Sequence, residues 1–269
     1  MKILAIEASG LVAGCALLED GQIIGDYNIQ FKKTHSQTLL PMMEELRKVT
    51  DLKMAEIDAV ALTKGPGSFT GLRIGAATAK GIGLALEKPL IPVSTLGSMA
   101  YNFYGTDALI CPMMDARRAT VFTGIYEEYD KPVCRKEPCA VPVEEIVRDV
   151  LDMAREETDQ AAGGSGKQRR VIITGDGADA YRAKIEAIIT GSGIPCRFAP
   201  AHMNRQRAAS TAALAYALWQ EKGEECFVSA DDFRPEYLKA AQAERERAYA
   251  EKTGQMDALA AGTLLKNRD

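Results

Sequence analysis

The chain has 269 residues, 46% of them hydrophobic and 26% charged, a composition that excludes disorder over most of its length and permits a sizeable core without disulfide or metal staples. At roughly 150 residues per domain, this length predicts two domains or lobes. With 33 basic and 37 acidic residues the net charge is −4, so no global field draws the chain onto a polyanion, and direct autonomous nucleic-acid binding is not expected. The six cysteines (Cys15, Cys111, Cys134, Cys139, Cys196, Cys226) include no CxxC pair, which predicts reduced, mostly buried thiols. The opening MKILAIEAS lacks a long apolar run, and no stretch reaches the about 18 apolar residues needed to cross a bilayer, so a cytoplasmic protein with no membrane segment is expected.

Lys2 to Ser9 and Val12 to Leu18 read as strands bounded by Gly10, and Asp20-Gly21 is a hairpin signal leading into a third strand, Gln22 to Gln30. After Thr34, an N-cap residue type, Leu39, Leu40, Met43, Leu46 and Val49 recur at helical spacing. Asp58 to Thr63 is then a strand, Thr70 to Glu87 a helix, Leu90 to Val93 a strand and Thr95 to Tyr104 a helix. From Ala108 the order returns. Ala108 to Met114, Thr120 to Tyr126 and Val133 to Glu137 read as strands, followed by a helix from Val143 to about Glu157 and a Gly/Ser loop from Ala161 to Gln168. The strand Arg170 to Thr174, the helix Ala178 to Thr190, the strand Pro195 to Ala199 and the helix Arg207 to Lys222 complete the second copy.

Two βββαβα units in tandem predict an α/β, two-lobed fold of the actin, hexokinase and Hsp70 class (ASKHA), with a single doubly wound sheet as the alternative. The expected domains are an N-lobe at 1–105, a C-lobe at 106–228 and a C-terminal segment at 229–269. The last of these is Ala/Glu/Arg-rich from Gln242 to Asp269 and reads as a frayed helix or a disordered tail.

The stretch Gly65-Pro66-Gly67-Ser68-Phe69-Thr70-Gly71-Leu72-Arg73-Ile74-Gly75 stands where a strand ends and a helix starts, with Ser68 or Thr70 as caps. It is no Walker loop, because no Gly-Lys-Ser/Thr follows the glycines and Lys64 precedes them. The helix it opens carries Gly71, Gly75, Gly81 and Gly83. Each glycine costs about 1 kcal/mol relative to alanine, so the run implies close approach of another backbone, either a neighbouring helix of this chain or a partner's.

Folds of this class hold nucleotide phosphates on paired Asp-containing hairpins, one opening each lobe. The corresponding turns here are Glu7-Ala8-Ser9-Gly10, with Glu in place of Asp, and Asp115-Ala116-Arg117-Arg118, which has two bulky cations and no glycine. The glycine turn expected around a nucleoside reads Gly175-Asp176-Gly177, with an added charge. Glu7, Ser9, Asp115, Gly175 and Gly177 are thus degenerate nucleotide-site positions, and autonomous ATP hydrolysis is not expected. The only histidines, His35 and His202, form no HxxxH pair, so no metal site is predicted, and a capping or surface role is expected for each. No GxSxG elbow is present and no catalytic residue is assigned.

Taken together, Ile3 to Ser9, His35-Ser36-Gln37-Thr38-Leu39-Leu40-Pro41, the Gly65 to Gly75 motif, Asp115-Ala116-Arg117-Arg118 and Arg234-Pro235-Glu236-Tyr237-Leu238 resemble the TsaB (YeaZ) family from residue 2 to about 240. Glu7-Ala8-Ser9 departs from the family's usual Asp-Thr-Ser. The resemblance implies a non-catalytic scaffold in the formation of N6-threonylcarbamoyladenosine in tRNA. Such a subunit pairs with and activates the transferase TsaD, works with the ATPase TsaE, and forms a homodimer when alone. It implies no cofactor in the isolated chain, with ATP or ADP at the partner interface as the one candidate. It also implies pairing through the two N-lobe helices, with Leu39, Met43 and Leu46 meeting Ile74, Thr78 and Ile82, and Gly71 and Gly75 setting the short separation. An ATP-dependent carbamoyl transferase or metalloprotease acting on its own, and a generic structural protein, are the competing readings.

Overall fold

Five strands make the first sheet: β1 (Lys2–Glu7), β2 (Ala13–Glu19), β3 (Gln22–Ile29), β4 (Ala59–Gly65) and β5 (Leu90–Ser94), in the order β3-β2-β1-β4-β5. The first three form an antiparallel meander, and β4 and β5 join in parallel to β1. At the first hairpin both Asp20 and Gly21 have positive φ, as a tight turn matched to strand twist requires. The second sheet repeats this plan with β6 (Thr106–Asp115), β7 (Thr120–Glu128), β8 (Val133–Pro142), β9 (Val171–Thr174) and β10 (Cys196–Phe198), ordered β10-β9-β6-β7-β8. Both sheets therefore share one topology, and the chain is an α/β two-lobed protein rather than a single doubly wound sheet. This computed structural model describes residues 1–31, 33–161 and 169–238. The stretch from Gln242 to Asp269 and the loop at 162–168 lie outside the described residues.

The helices are α1 (His35–Val49), α2 (Phe69–Leu86), α3 (Thr95–Tyr101), α4 (Val143–Ala161), α5 (Asp176–Ala180), α6 (Arg182–Ile189) and α7 (Ala208–Lys222). Where one helix is expected from Ala178 to Thr190, the chain breaks at Tyr181, whose φ of −115° and ψ of 20° leave the helical region. Its hydroxyl is held by Asp115.

Alternation along β1 shows how the first sheet is covered. Leu4 and Ile6 face a core shared with Leu39, Met42, Met43 and Leu46 of α1 and Ala76 and Ala79 of α2. Ile3 and Ala5 face the opposite core, built with Ala208, Ala212, Leu214 and Ala215 of α7. A strand buried on both faces reads as a nearly continuous apolar run, and residues 3–6 are buried throughout. The second sheet is covered on one face by α4 and α6 and on the other by Leu96, Met99 and Ala100 of α3. Helices are thus exchanged: α3 follows the first sheet in sequence and packs on the second, and α7 follows the second and packs on the first. Residues 228–236 return to the first sheet. Val228 pairs with Leu90, Phe233 and Ala230 join its core, and the Glu236 amide donates to the Lys64 carbonyl at 2.7 Å.

The cysteines are all free, with Cys15 and Cys111 buried and Cys134 exposed. Burial pushes the Cys15 and Cys111 thiols up to about 12. Among the described residues no helix is long and apolar enough to cross a membrane.

Candidate functional site

The turn after β1 is where a phosphate would sit in a fold of this kind, and here it is packed with the chain's own groups. Glu7 is fully buried. One carboxylate oxygen accepts from the Ser9 amide at 2.7 Å and the Ser9 hydroxyl at 2.5 Å, and the other accepts from Thr211 Oγ1 at 3.4 Å. Burial pushes Glu7 up to about 7, against the pull of its hydrogen bonds to Ser9, Thr63 and Thr211. Thr211 also pairs with Ser98 at 2.9 Å, so a buried polar chain runs from β1 through α7 to α3.

Around this turn the outer groups are engaged as well. The Ser9 carbonyl accepts from the Ser68 amide at 2.7 Å. His35 Nε2 lies 2.9 Å from the Gly10 carbonyl, and because a carbonyl only accepts, that nitrogen carries the proton. His35 is thus not the cap, which is Thr34; half-buried, it ties α1 to the turn. The buried side chain of Gln206 lies over Gly10. The glycine motif is explained here too: a Cβ on Gly67 or Gly71 would overlap the carbonyl oxygen of Ser9 or Ala8, and one on Gly75 would lie 3.2 Å from the Ala8 Cβ. The backbone that approaches these glycines is the β1–β2 turn of this chain, not a helix. Ser68 caps α2, accepting from the Gly71 amide at 3.3 Å.

In the second lobe, Asp115 Oδ1 accepts from the Arg117 amide at 2.8 Å and from the Tyr181 hydroxyl at 2.7 Å, and that hydroxyl accepts from the Ala119 amide at 3.2 Å. This bracing holds Arg117, Arg118 and Ala119 at φ of 67°, 56° and 52°, a left-handed conformation costing on the order of 1–3 kcal/mol per non-glycine residue. Gly175 has φ of 108° with no room for a Cβ beside the Met113 carbonyl. Its amide donates to Asn204 Oδ1 at 2.7 Å. Gly177 lies against Met114 and the Asp115 amide. Burial raises the Asp176 carboxyl above its ordinary range, opposed by Arg205. Asn204 and Gln206, from one short loop before α7, thus occupy both halves of the cleft.

The five residues expected at a nucleotide site fall at two places, Glu7 and Ser9 at the turn after β1, and Asp115, Gly175 and Gly177 together in the second lobe. The eight expected pairing residues divide differently. Leu39, Met43 and Leu46 are buried against the first sheet, and Gly71 and Gly75 are buried against the Ala8 turn, so these five do not present an outer surface. The apolar stripe of α1 is already spent on the chain's own core. Ile74, Thr78 and Ile82 are half-buried, while the outer faces carry Leu40 and Val49 on α1 and Arg73, Ala77, Gly81, Leu84 and Ala85 on α2. Arg73 stacks on Phe69 with its guanidinium 3.9 Å from the ring centroid. His202 is exposed in its loop. Among the described residues no three of His, Cys, Asp or Glu converge as a metal site would need.

Sequence reasoning missed Gln206, Asn204, Tyr181 and Thr211. Only Thr211 had a local signal, as a hydroxyl in line with the buried Ala208, Ala212 and Ala215 of an alanine-rich helix.

The fold defines a two-lobed α/β protein of the actin and hexokinase class, with its own side chains packed against the turns after β1 and β6. Residues 29–247 match the family model of TsaD, tRNA N6-adenosine threonylcarbamoyltransferase. The chain is 33% identical over 194 residues to the tRNA threonylcarbamoyladenosine biosynthesis protein TsaB of Bacillus subtilis (strain 168), an alignment covering 72% of this chain and 79% of that one. It is 33% identical over 152 residues to TsaB of Escherichia coli (strain K12), covering 55% and 65%. The solved structure of YeaZ from Pseudomonas aeruginosa shares the fold, with a TM-score of 0.68 over 88% of this chain and 99% of that one at 24% identity. The chain belongs to the TsaB (YeaZ) family. The transferase itself is a more distant relative, 31% identical over 130 residues in Kosmotoga olearia, covering 42% of this chain and 39% of that one.

Proposed function

We propose that this chain takes part in forming N6-threonylcarbamoyladenosine in tRNA as a non-catalytic subunit that pairs with TsaD and activates it, with TsaE as a further partner and a homodimer as the form in isolation. The observation that carries this reading is the filled cleft. Glu7 is fully buried, Gln206 covers Gly10 and Asn204 holds Gly175, which leaves no open cradle for a nucleotide's phosphates. Any ATP or ADP would then sit at the junction with TsaD, and the work would be done in the cytoplasm, where tRNA is modified. The outer face of α2 supports the pairing: small Ala77, Gly81 and Ala85 beside exposed Leu84 let a partner helix come close.

Reconstituted threonylcarbamoyl transfer with and without this chain tests the reading, and stimulation by the chain is expected. Gly75 is unsuited to probing the pairing, because it packs on Ala8. Ala77→Glu with Leu84→Glu, on the exposed face, should abolish co-purification with TsaD while circular dichroism stays native. Unimpaired pairing in that variant would overturn the α2 assignment.

A further inference from the structure

The geometry points to the Arg117–Arg118 turn as a phosphate contact, through which this chain grips the sugar–phosphate backbone of the RNA substrate inside the assembled complex; the inference rests on the functional reading above. The turn joins β6 to β7, the place in the second lobe that the Glu7 turn holds in the first. Three successive left-handed residues are glycine's territory, yet the chain puts two arginines there, and Ala119 follows. A glycine pair would make the same turn without strain, so the side chains are what the strain retains.

The turn is fixed from several sides. Besides the Asp115 and Tyr181 bonds, the Ala116 amide donates to the Thr120 carbonyl at 3.0 Å, the Thr120 amide to the Arg117 carbonyl at 3.1 Å, and the Val143 amide to the Ala119 carbonyl at 3.0 Å. The Arg117 side chain is nevertheless 88% exposed, with Asp115 Oδ2 3.5 Å away. Arg118 is exposed and has no ion pair among the described residues. Nearby carboxylates have other partners: Asp179 is held by Arg205 at 2.7 Å, and Glu144 by Lys184 at 2.9 Å. Two adjacent guanidinium groups on a preorganised turn suit neighbouring phosphates of one strand, each able to take a bidentate pair of hydrogen bonds. Two contacts are too few for binding alone, which accords with a net charge of −4.

The test measures transfer by the complex of this chain with TsaD and TsaE as a function of tRNA concentration and salt. Arg117→Glu/Arg118→Glu should raise the KM for tRNA at least about tenfold, and should reduce the salt slope of log KM by roughly 1.4 to 1.8, the value for two phosphates. Arg117→Gly/Arg118→Gly should raise the Tm, since glycine relieves the left-handed strain, and still raise the KM; this variant separates a contact from a folding defect. An unchanged KM and salt slope in both variants would overturn the proposal. A KM effect that vanishes at saturating TsaD would also overturn it, by assigning the arginines to a protein carboxylate. A native chain that does not stimulate transfer would defeat the functional reading and this inference together, whereas stimulation with both variants behaving as native defeats this inference alone.

Discussion

Gln206 stands where a side chain on Gly10 would have to stand, its Nε2 2.5 Å from the position of a Cβ there. The same turn carries the fully buried Glu7 carboxyl, so we expect it to hold no phosphate. Calorimetric titration of the isolated chain with Mg-ATP is therefore expected to give no saturable heat. Gln206→Ala should behave alike, because Glu7 remains. Micromolar binding by the native chain would contradict the closed cleft.

Stability should fall as pH rises from weakly acid to weakly alkaline. Burial pushes Glu7 up to about 7 and Glu128 up to about 8, and neither Glu128 oxygen has a hydrogen-bond partner among the described residues. Both values lie above the ordinary one of 4.5, so the native state binds more protons than the unfolded state. The contribution is complete below that value and is lost as pH climbs through each folded pKa, at about 1.4 kcal/mol per unit for each group in its window. Urea midpoints measured across this range should decline, and Glu128→Gln should remove the upper part of the decline. A flat profile in the native chain would refute this.

Three glycines of α2 separate cleanly. Gly81 has nothing within 4 Å of an added Cβ, so Gly81→Ala should stabilise by about 0.5–1 kcal/mol. Gly71→Ala would drive a methyl into the Ala8 carbonyl and should destabilise by about 2 kcal/mol or more. Gly75→Ala, facing the Ala8 Cβ at 3.2 Å, should fall between them. Thermal unfolding of the three variants checks the order.

Arg169 joins three carboxylates on the second lobe: Asp107, Glu127 at 2.7 Å and Glu157 at 3.0 Å. Its side chain is mostly buried. Removing it takes this partner from Asp107 and leaves Glu127 and Glu157 to share Arg135 alone, so Arg169→Ala should cost about 1–3 kcal/mol, and Arg169→Lys should recover only part, because a single ammonium cannot match the fork. Equal Tm values for native and Arg169→Ala proteins would rule the cluster out as a stabilising element.

The order of elements was legible because its signals are local. Asp20-Gly21 marks a hairpin, and the apolar spacing of Leu39, Met43 and Leu46 marks a helix with one inward face. The same spacing could not say what that face covers, and it packs against β2 and β3 of this chain. The glycine motif announced close approach but not its object, since Ala8 and Gly71 meet only in the folded chain. Asn204 and Gln206 were invisible for the same reason: each fills a cavity lined by residues far away in sequence. That these two turns depart from an Asp-and-glycine pattern was visible, while the side chains packed against them were not.

The exchange of α3 and α7 has a consequence for synthesis. Ile3, Ala5, Ala16 and Leu18 wait for a cover that begins only at Ala208, so nearly the whole described chain must leave the ribosome before the first sheet's second face is shielded. Contacts so distant in sequence slow folding, and until they form, the nascent chain offers a sticky apolar sheet to chaperones and to other unfinished copies. Severing the chain between α3 and β6 would yield two fragments that each lack a wall, not two small domains.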